Sequence, residues 1–248
     1  MKIESFFEEN KRFALAYSGG VDSSYLLYEA SKAGLDFKAY FLKAVFVPSF
    51  EFEEAIKFAR ENGVEPVIIE ANPLASDEVR ANPSNRCYYC KTMLFSKIIE
   101  KAKADGYDMI IDGTNASDPE DDRPGMKALR ELGVRSPLRE VGLTKAEIRS
   151  ELKKAGIPMW NKPAYACLAT RIPHGMELTV DVLKKVEVSE KFLMEMGFSD
   201  FRVRVFEDSC RIEVREEQLG KLISEREAIL GEFKKNFKYV MLDLEVRK

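Results

Sequence analysis

Two groups of residues in this 248-residue chain have types and spacings that could do chemistry. The first is Ser18-Gly-Gly-Val-Asp-Ser-Ser24. It follows a mostly apolar run at 13–17 and precedes residues 25–33, where Leu26, Leu27, Ala30 and Ala33 fall on one helical face. A strand, a loop of small residues and a helix start make an anion site. Gly19 and Gly20 let the backbone close tightly, and the first-turn N–H groups and positive helix end then face the ligand. Ser18, Ser23 and Ser24 add hydroxyl donors of the kind phosphate oxygens accept. The plainer alternative is a turn that only caps a helix, with Asp22 or Ser23 as the capping residue. The string G-x-x-x-x-G-K-[ST] of the ordinary phosphate loop is absent.

The second group is cysteine. Cys87 and Cys90, within Asn82-Pro-Ser-Asn-Arg-Cys-Tyr-Tyr-Cys-Lys91, have the C-x-x-C spacing that lets two sulfurs converge on one metal or on each other. Cys167 lies far along the chain in Ala166-Cys-Leu-Ala-Thr-Arg-Ile-Pro173. Four readings compete. The cysteines could be buried small hydrophobes. A redox dithiol would want its C-x-x-C at a helix start after a strand, whereas a long irregular span is expected here. A zinc site could use Cys87, Cys90, Cys167 and the single histidine, His174. An iron–sulfur cluster on three cysteines would leave one iron open. Cys210, in mid-strand, reads as core.

These groups need a scaffold, and the pattern supplies one. Expected strands at 13–17, 37–46, 65–70 and 108–112 alternate with helices at 25–33, 50–62 and 92–105. Ser49 is placed to cap the second of these helices, with Gly63 closing it. Thr144-Lys-Ala-Glu147 is a capping box that opens a further helix. The alternation implies an α/β, doubly wound parallel sheet with ligands at the strands' carboxyl ends. Residues 71–88 hold two prolines, each after an asparagine, and read as a long functional loop. After Pro173 the pattern becomes helix 178–196, a hairpin of strands 201–206 and 210–214, helix 216–233 and strand 239–246. That is a small α+β domain, antiparallel on one side and helix-covered on the other. The expected domains are therefore 1–173 and 174–248. Hydrophobic residues make up 45% in short runs, so nothing reads as a membrane span. The first ten residues carry acids and no apolar signal core, which points to a cytoplasmic protein. A net charge of −3 and a pI of about 5.6 remove the bulk electrostatic case for nucleic-acid binding.

The wording S-G-G-x-D-S resembles the loop of the PP-loop ATP pyrophosphatases, which split ATP into AMP and pyrophosphate. In that family the aspartate, here Asp22, works with Mg²⁺, which would offset its repulsion of phosphates. Arg86-Cys-x-x-Cys-Lys91, Asp112-Gly-Thr-Asn115 and Ala166-Cys-Leu-Ala-x-Arg171 together resemble the ATP-dependent sulfur transferases called LarE, over nearly the whole chain. The resemblance implies that ATP adenylates a carboxylate of pyridinium-3,5-biscarboxylic acid mononucleotide and that sulfur then displaces AMP. It implies AMP contact by Gly113 and Thr114, and a substrate-phosphate clamp by Arg202 and Arg204, which share one strand face. Some members spend a cysteine at the position of Cys167. Others hold a [4Fe-4S] cluster on three cysteines, and Cys87, Cys90 and Cys167 place this sequence with them. The family also implies a homo-oligomer, a hexamer. The acidic run Asp118-Pro-Glu-Asp-Asp122 could position Mg²⁺ or substrate, or be a solvated turn. Rival functions are tRNA thiolation by a PP-loop enzyme and a non-catalytic nucleotide or cluster sensor.

Overall fold

The structure is a computed structural model and describes residues 2–119 and 124–247. The expected residues Glu120, Asp121 and Asp122 of the acidic run lie outside them. The chain forms two compact units, residues 1–75 with 85–162, and residues 76–84 with 163–248. This division departs from a boundary at 173/174 in two places: the second unit takes in residues 163–173, and it takes in the early segment 76–84.

In the first unit helix α1 (Lys2–Glu9) leads into strand β1 (Arg12–Tyr17), then α2 (Val21–Lys32), β2 (Asp36–Ala44), α3 (Ser49–Glu61) and β3 (Val67–Ala71). Strand β4 (Ile110–Ile111) completes a four-stranded sheet in the order β3-β2-β1-β4, parallel throughout, with Leu15 paired to both Ala39 and Ile111. The doubly wound parallel α/β sheet expected from the sequence is therefore present. Five of the six β1 residues are buried, because helices cover both faces of a parallel sheet. One core gathers Phe13, Leu15, Leu26, Leu27, Phe41, Ala55 and Ile148; the other gathers Ala14, Tyr40, Ile98, Ile110 and Leu129. Burying each large apolar side chain contributes about 1.5–3 kcal/mol. The chain runs outward from β1 through β2 and β3 and then crosses to β4 on the other side of β1. That reversal opens a crevice between the carboxyl ends of β1 and β4.

The second unit begins with α4 (Asp77–Arg80), before the chain returns to the first unit for α5 (Arg86–Ala104), α6 (Pro124–Glu131), α7 (Pro137–Glu140) and α8 (Lys145–Lys154). The second unit then resumes with a 3₁₀ turn at Leu168–Arg171, α9 (Val180–Glu195), β5 (Arg202–Phe206), β6 (Ser209–Glu213), α10 (Leu219–Ser224), α11 (Arg226–Phe233) and β7 (Tyr239–Leu242). β5 and β6 are antiparallel, but β7 runs parallel to β6, so this small sheet is mixed. The single helix expected over 216–233 is a 3₁₀ turn and two short helices that break at Glu225. Asn82, buried and at φ +53°, donates from Nδ2 to the carbonyls of Pro173 and Met176 at 2.8 and 3.1 Å. The segment 76–84 is thus fastened to the chain that follows Cys167.

Two local expectations change. Ser49 is the first residue of α3 and does not cap it; Pro48 occupies the cap with extended backbone, which its fixed φ favours. The stretch 71–88 is not a continuous loop. It contains a 3₁₀ turn at Pro73–Ala75 and α4, capped by Ser76, whose hydroxyl accepts from the Val79 N–H. Helix α5 then begins at Arg86, six residues before the expected start, so Cys87 and Cys90 lie in its first turns.

Candidate active site

The loop after β1 is built as a cradle. Gly19 sits at φ +73°, and a Cβ there would stand 2.4 Å from the Ala55 Cβ, so α3 packs where no other residue would fit. Gly20 is the cap residue of α2, and Ser24 N donates to its carbonyl at 3.0 Å. The Ser23 hydroxyl ties the turn together: it lies 3.1 Å from Ser18 Oγ, accepts from Ser18 N and donates to Gly20 O at 3.2 Å. Ser24 is fully buried beneath the loop, 3.5 Å from the Tyr17 hydroxyl, and is not part of the cleft wall. Tyr17 in turn donates to Ala55 O at 3.0 Å, and burial pushes its phenol up to about 12, so it acts as a neutral donor. Lys162, which sequence reasoning missed, clamps the loop from behind. Its ammonium reaches Glu51 at 2.8 Å and Glu54 at 3.0 Å and donates to Gly19 O at 3.2 Å.

Opposite this cradle stands the turn after β4. Asp112 is buried, accepts from Thr114 Oγ1 at 2.6 Å and Ser136 Oγ at 2.7 Å, and so fixes Gly113 and Thr114. Gly113 packs directly on the start of α2: a Cβ there would fall 2.8 Å from Ser23 N. Asn115 N donates to Asp118 Oδ2 at 2.9 Å, which orders the first residue of the acidic run.

Between the two turns lies a cleft of about 490 Å³, lined among others by Ser18, Gly20, Asp22, Ser23, Gly113 and Thr114. Cys87, Lys91 and Phe95 form another wall. They are four residues apart and share one face of α5, which aims that face into the cleft. The cleft thus brings together Ser18, Gly20, Asp22 and Ser23 of the expected loop, the expected Gly113–Thr114 pair and one of the expected cysteines, but neither Gly19 nor Ser24. Arg86 Nη2 lies 3.8 Å from Cys87 Sγ, so a guanidinium and the positive end of α5 stand beside that sulfur, while the Lys91 ammonium lies over the Phe95 ring. The helix start that a C-x-x-C redox pair would want is therefore present, although no strand precedes it.

Asp22 is the electrostatic focus. Its Oδ2 accepts from Lys145 Nζ at 2.6 Å, while its Oδ1 is buried and, among the described residues, has no partner in hydrogen-bonding geometry. Burial pushes its carboxyl above the usual range, the Lys145 ammonium and the Asn115 side chain pull it back, and Asp118 pushes it up again. A buried carboxylate oxygen without a donor fits a hard divalent cation such as Mg²⁺. Lys145 was not legible as a site residue, because 123 residues separate it from Asp22.

The second unit holds Cys167, exposed, in a segment fixed by three arginines. Arg171 donates to Ala166 O at 2.9 Å and Cys167 O at 3.4 Å, Arg202 to Ala164 O at 2.8 Å, and Arg204 to Thr170 O at 2.9 Å. Arg202 is buried and Arg204 half-buried. Arg171 and Glu190 form a fully buried ion pair at 2.9 Å, and Glu190 also accepts from the Tyr165 hydroxyl and from Val203 N at 2.8 Å. His174 is exposed, and Cys210 is buried in β6, where burial pushes its thiol up to about 12. Among the described residues no three His, Cys, Asp or Glu side chains form a group that could hold a metal ion. Cys87 and Cys90 belong to the first unit and Cys167 to the second. Nor is any described helix long and apolar enough to cross a membrane.

No family model matches the chain. It is 32% identical, over 94% of its length and 86% of the relative's, to the pyridinium-3,5-bisthiocarboxylic acid mononucleotide synthase of Lactiplantibacillus plantarum. The chain belongs to the LarE family. An uncharacterized protein of Synechocystis is 39% identical over 98% of the chain and 92% of its own length. The argininosuccinate synthase of Natronomonas pharaonis is 30% identical over 61% of the chain and 40% of its own. The LarE likeness covers both units, and so takes in both the loop carrying Asp22 and the arginine-bound segment carrying Cys167.

Proposed function

We propose that the protein is an ATP-dependent sulfur transferase that converts a carboxylate of pyridinium-3,5-biscarboxylic acid mononucleotide into a thiocarboxylate. The observation that carries this reading is that the small-residue loop and Cys87 line one cleft. Nucleotide-type and sulfur-type groups have no reason to share a cavity unless their chemistries meet. A carboxylate oxygen is a poor leaving group until it is made into a mixed anhydride. In the first step a substrate carboxylate oxygen attacks the α-phosphorus of ATP, pyrophosphate leaves, and an acyl adenylate forms. In the second a sulfide attacks the acyl carbon and AMP leaves with the former carboxylate oxygen.

The chain's own groups have matching tasks. Ser18, Ser23 and the first N–H groups of α2 hold phosphate oxygens. Asp22, with its unpartnered Oδ1, would hold Mg²⁺, which supplies charge neutralisation on the phosphates. Gly113 and Thr114 contact the AMP half. Arg202 and Arg204 hold the segment of Cys167 and clamp the substrate phosphate. Cys87 and Cys90 stand one turn apart at a helix start and would supply two ligands of a [4Fe-4S] cluster, with Cys167 as the third that the family resemblance implies. When bound, such a cluster supplies an open iron for the sulfide to be delivered. The protein works in the cytoplasm as a homo-oligomer.

The test is anaerobic incubation with ATP and the dicarboxylate mononucleotide. AMP and pyrophosphate should appear in equal amounts, with one oxygen of the substrate exchanged for sulfur. ADP and phosphate as products would overturn the reading. A broad brownish absorption should be present before reaction and lost in Cys87→Ala, Cys90→Ala and Cys167→Ala, but kept in His174→Ala. Loss of H₂S from Cys167, with Cys87→Ala still active, would replace the cluster by a sacrificial cysteine.

A further inference from the structure

Lys145 breaks a local rule. It is the first residue of α8, a ten-residue helix, and a cation there opposes the positive end of the helix dipole. Nothing in the helix itself calls for it. The Thr144 hydroxyl caps Glu147 N, the Glu147 carboxylate caps Thr144 N at 2.9 Å, and Lys145 N is bound by Ser117 Oγ at 3.0 Å. The side chain instead reaches Asp22 Oδ2 at 2.6 Å, on the first turn of α2, where the loop of Ser18, Gly20 and Ser23 meets the cleft. The pair is only partly shielded, with side-chain exposures of 33% for Lys145 and 18% for Asp22. The four-carbon stem of a lysine lets the ammonium swing without moving the helix. The other oxygen of the same carboxylate is buried and, among the described residues, lacks a donor.

We infer that Lys145 is a positioning residue for the β- and γ-phosphates of the nucleotide, neutralising Asp22 while the loop is empty and turning to the phosphates when a divalent cation takes Asp22. This rests on the nucleotide reading proposed above and assigns the residue that tells a triphosphate or pyrophosphate from a monophosphate. The physical reason is charge. A cation bound at Asp22 would repel the ammonium from the carboxylate, and phosphate oxygens held at the start of α2 would offer it new partners within reach of the same stem.

The experiment is titration calorimetry of wild type, Lys145→Met, Lys145→Arg and Lys154→Met with three probes: Mg²⁺·ATP, Mg²⁺·pyrophosphate and AMP. Lys154 ends the same helix and among the described residues pairs at 2.8 Å with Glu151 alone, which makes it the control. Lys145→Met should weaken Mg²⁺·ATP and Mg²⁺·pyrophosphate by roughly 10–100-fold, the value of a hydrogen bond to a charged group, with AMP unchanged. Lys145→Arg should restore part of the loss, and Lys154→Met should match wild type. Equal weakening of all three probes would mean that Lys145 only supports the fold, and unchanged binding would mean that it meets no phosphate; either overturns the inference while ATP binding itself stands. Wild-type protein that binds neither ATP nor pyrophosphate would overturn the nucleotide reading, and this assignment with it.

Discussion

Gly19→Ala separates two costs that the loop keeps together. The backbone there is left-handed, at φ +73°, which costs an L-residue about 1–2 kcal/mol. Gly34, just past the end of α2, has φ +64° and no atom within 4 Å of where its Cβ would stand. Gly34→Ala should therefore show the conformational cost alone. At Gly19 the new methyl would meet the Ala55 Cβ at 2.4 Å and the Ala55 Cα at 3.3 Å, well inside the ~3.5–4.0 Å at which carbons attract. Overpacking of this kind adds about 1–3 kcal/mol, for a total of about 2–5 kcal/mol. Urea unfolding followed by Trp160 fluorescence is the assay. Trp160 is the single tryptophan, packs against the first unit's core and so reports on the unit that holds both glycines. The cycle with Ala55→Gly gives the decisive figure, since it removes the 2.4 Å contact but leaves the Cα. Coupling of about 1 kcal/mol or more is expected for residues in such contact. Equal losses in Gly19→Ala and Gly34→Ala, or an additive cycle, would refute the packing argument.

Two further outcomes follow from the charged groups. Arg171→Met leaves the Glu190 carboxylate buried with only Tyr165 and Val203 N as the partners named above, and should cost the second unit about 3–5 kcal/mol. The double change with Glu190→Gln should cost less than the sum of the two, read by circular dichroism in urea, and strict additivity would show that the pair is not a unit. Asp105 is pulled down to about 2, first by Lys101, then by the Tyr40 hydroxyl and Lys38. Because its folded value lies below its ordinary 3.8, the stabilisation is complete above about pH 4 and fades as the pH falls toward 2. Melting temperatures across that window should fall less steeply in Asp105→Asn, and parallel curves would refute the assignment.

How much of this was legible follows from how local each signal is. The Ser18–Ser24 loop could be read because glycine, serine and aspartate stood between an apolar strand and a helix, and each acts within its own turn. The capping box Thr144–Glu147 was equally local and is formed in full. The start of α5 was not. Cys87, Tyr88, Tyr89, Cys90 and Thr92 are indifferent helix formers, Asn85 makes no side-chain cap, and the prolines upstream signal a loop. Tertiary packing decides that helix, which gave the cysteines a face that the sequence pattern could not assign. The break at Glu225 has no glycine or proline to mark it. The arginines around Cys167 were visible as residues, but their work on its carbonyls depends on a fold that brings Arg202 within reach of Ala164, 38 positions earlier.

The residues that defy local rules gather around the cleft, and the sizes of their interactions explain how the loop can be both built and changeable. Gly19 is wedged against Ala55, and Lys162 ties the loop's carbonyl to two carboxylates of α3 at 10% side-chain exposure. The Gly19–Ala55 contact is shielded, and crowding it costs several kcal/mol by the packing argument above; the Lys162–Glu51 pair is shielded too, whereas Glu54 is 56% exposed. The Lys145–Asp22 pair is different in kind. Its lysine is one-third exposed, so solvent screens that end, while the Asp22 side chain is only 18% exposed and needs a cation beside it. Separating that ammonium from its carboxylate costs little once a divalent cation takes its place at Asp22, and one hydrogen bond to a charged phosphate then contributes roughly 1.5–3 kcal/mol. A rigid backbone with one exchangeable charge is the arrangement that lets an incoming anion rearrange a side chain without unfolding the loop that binds it.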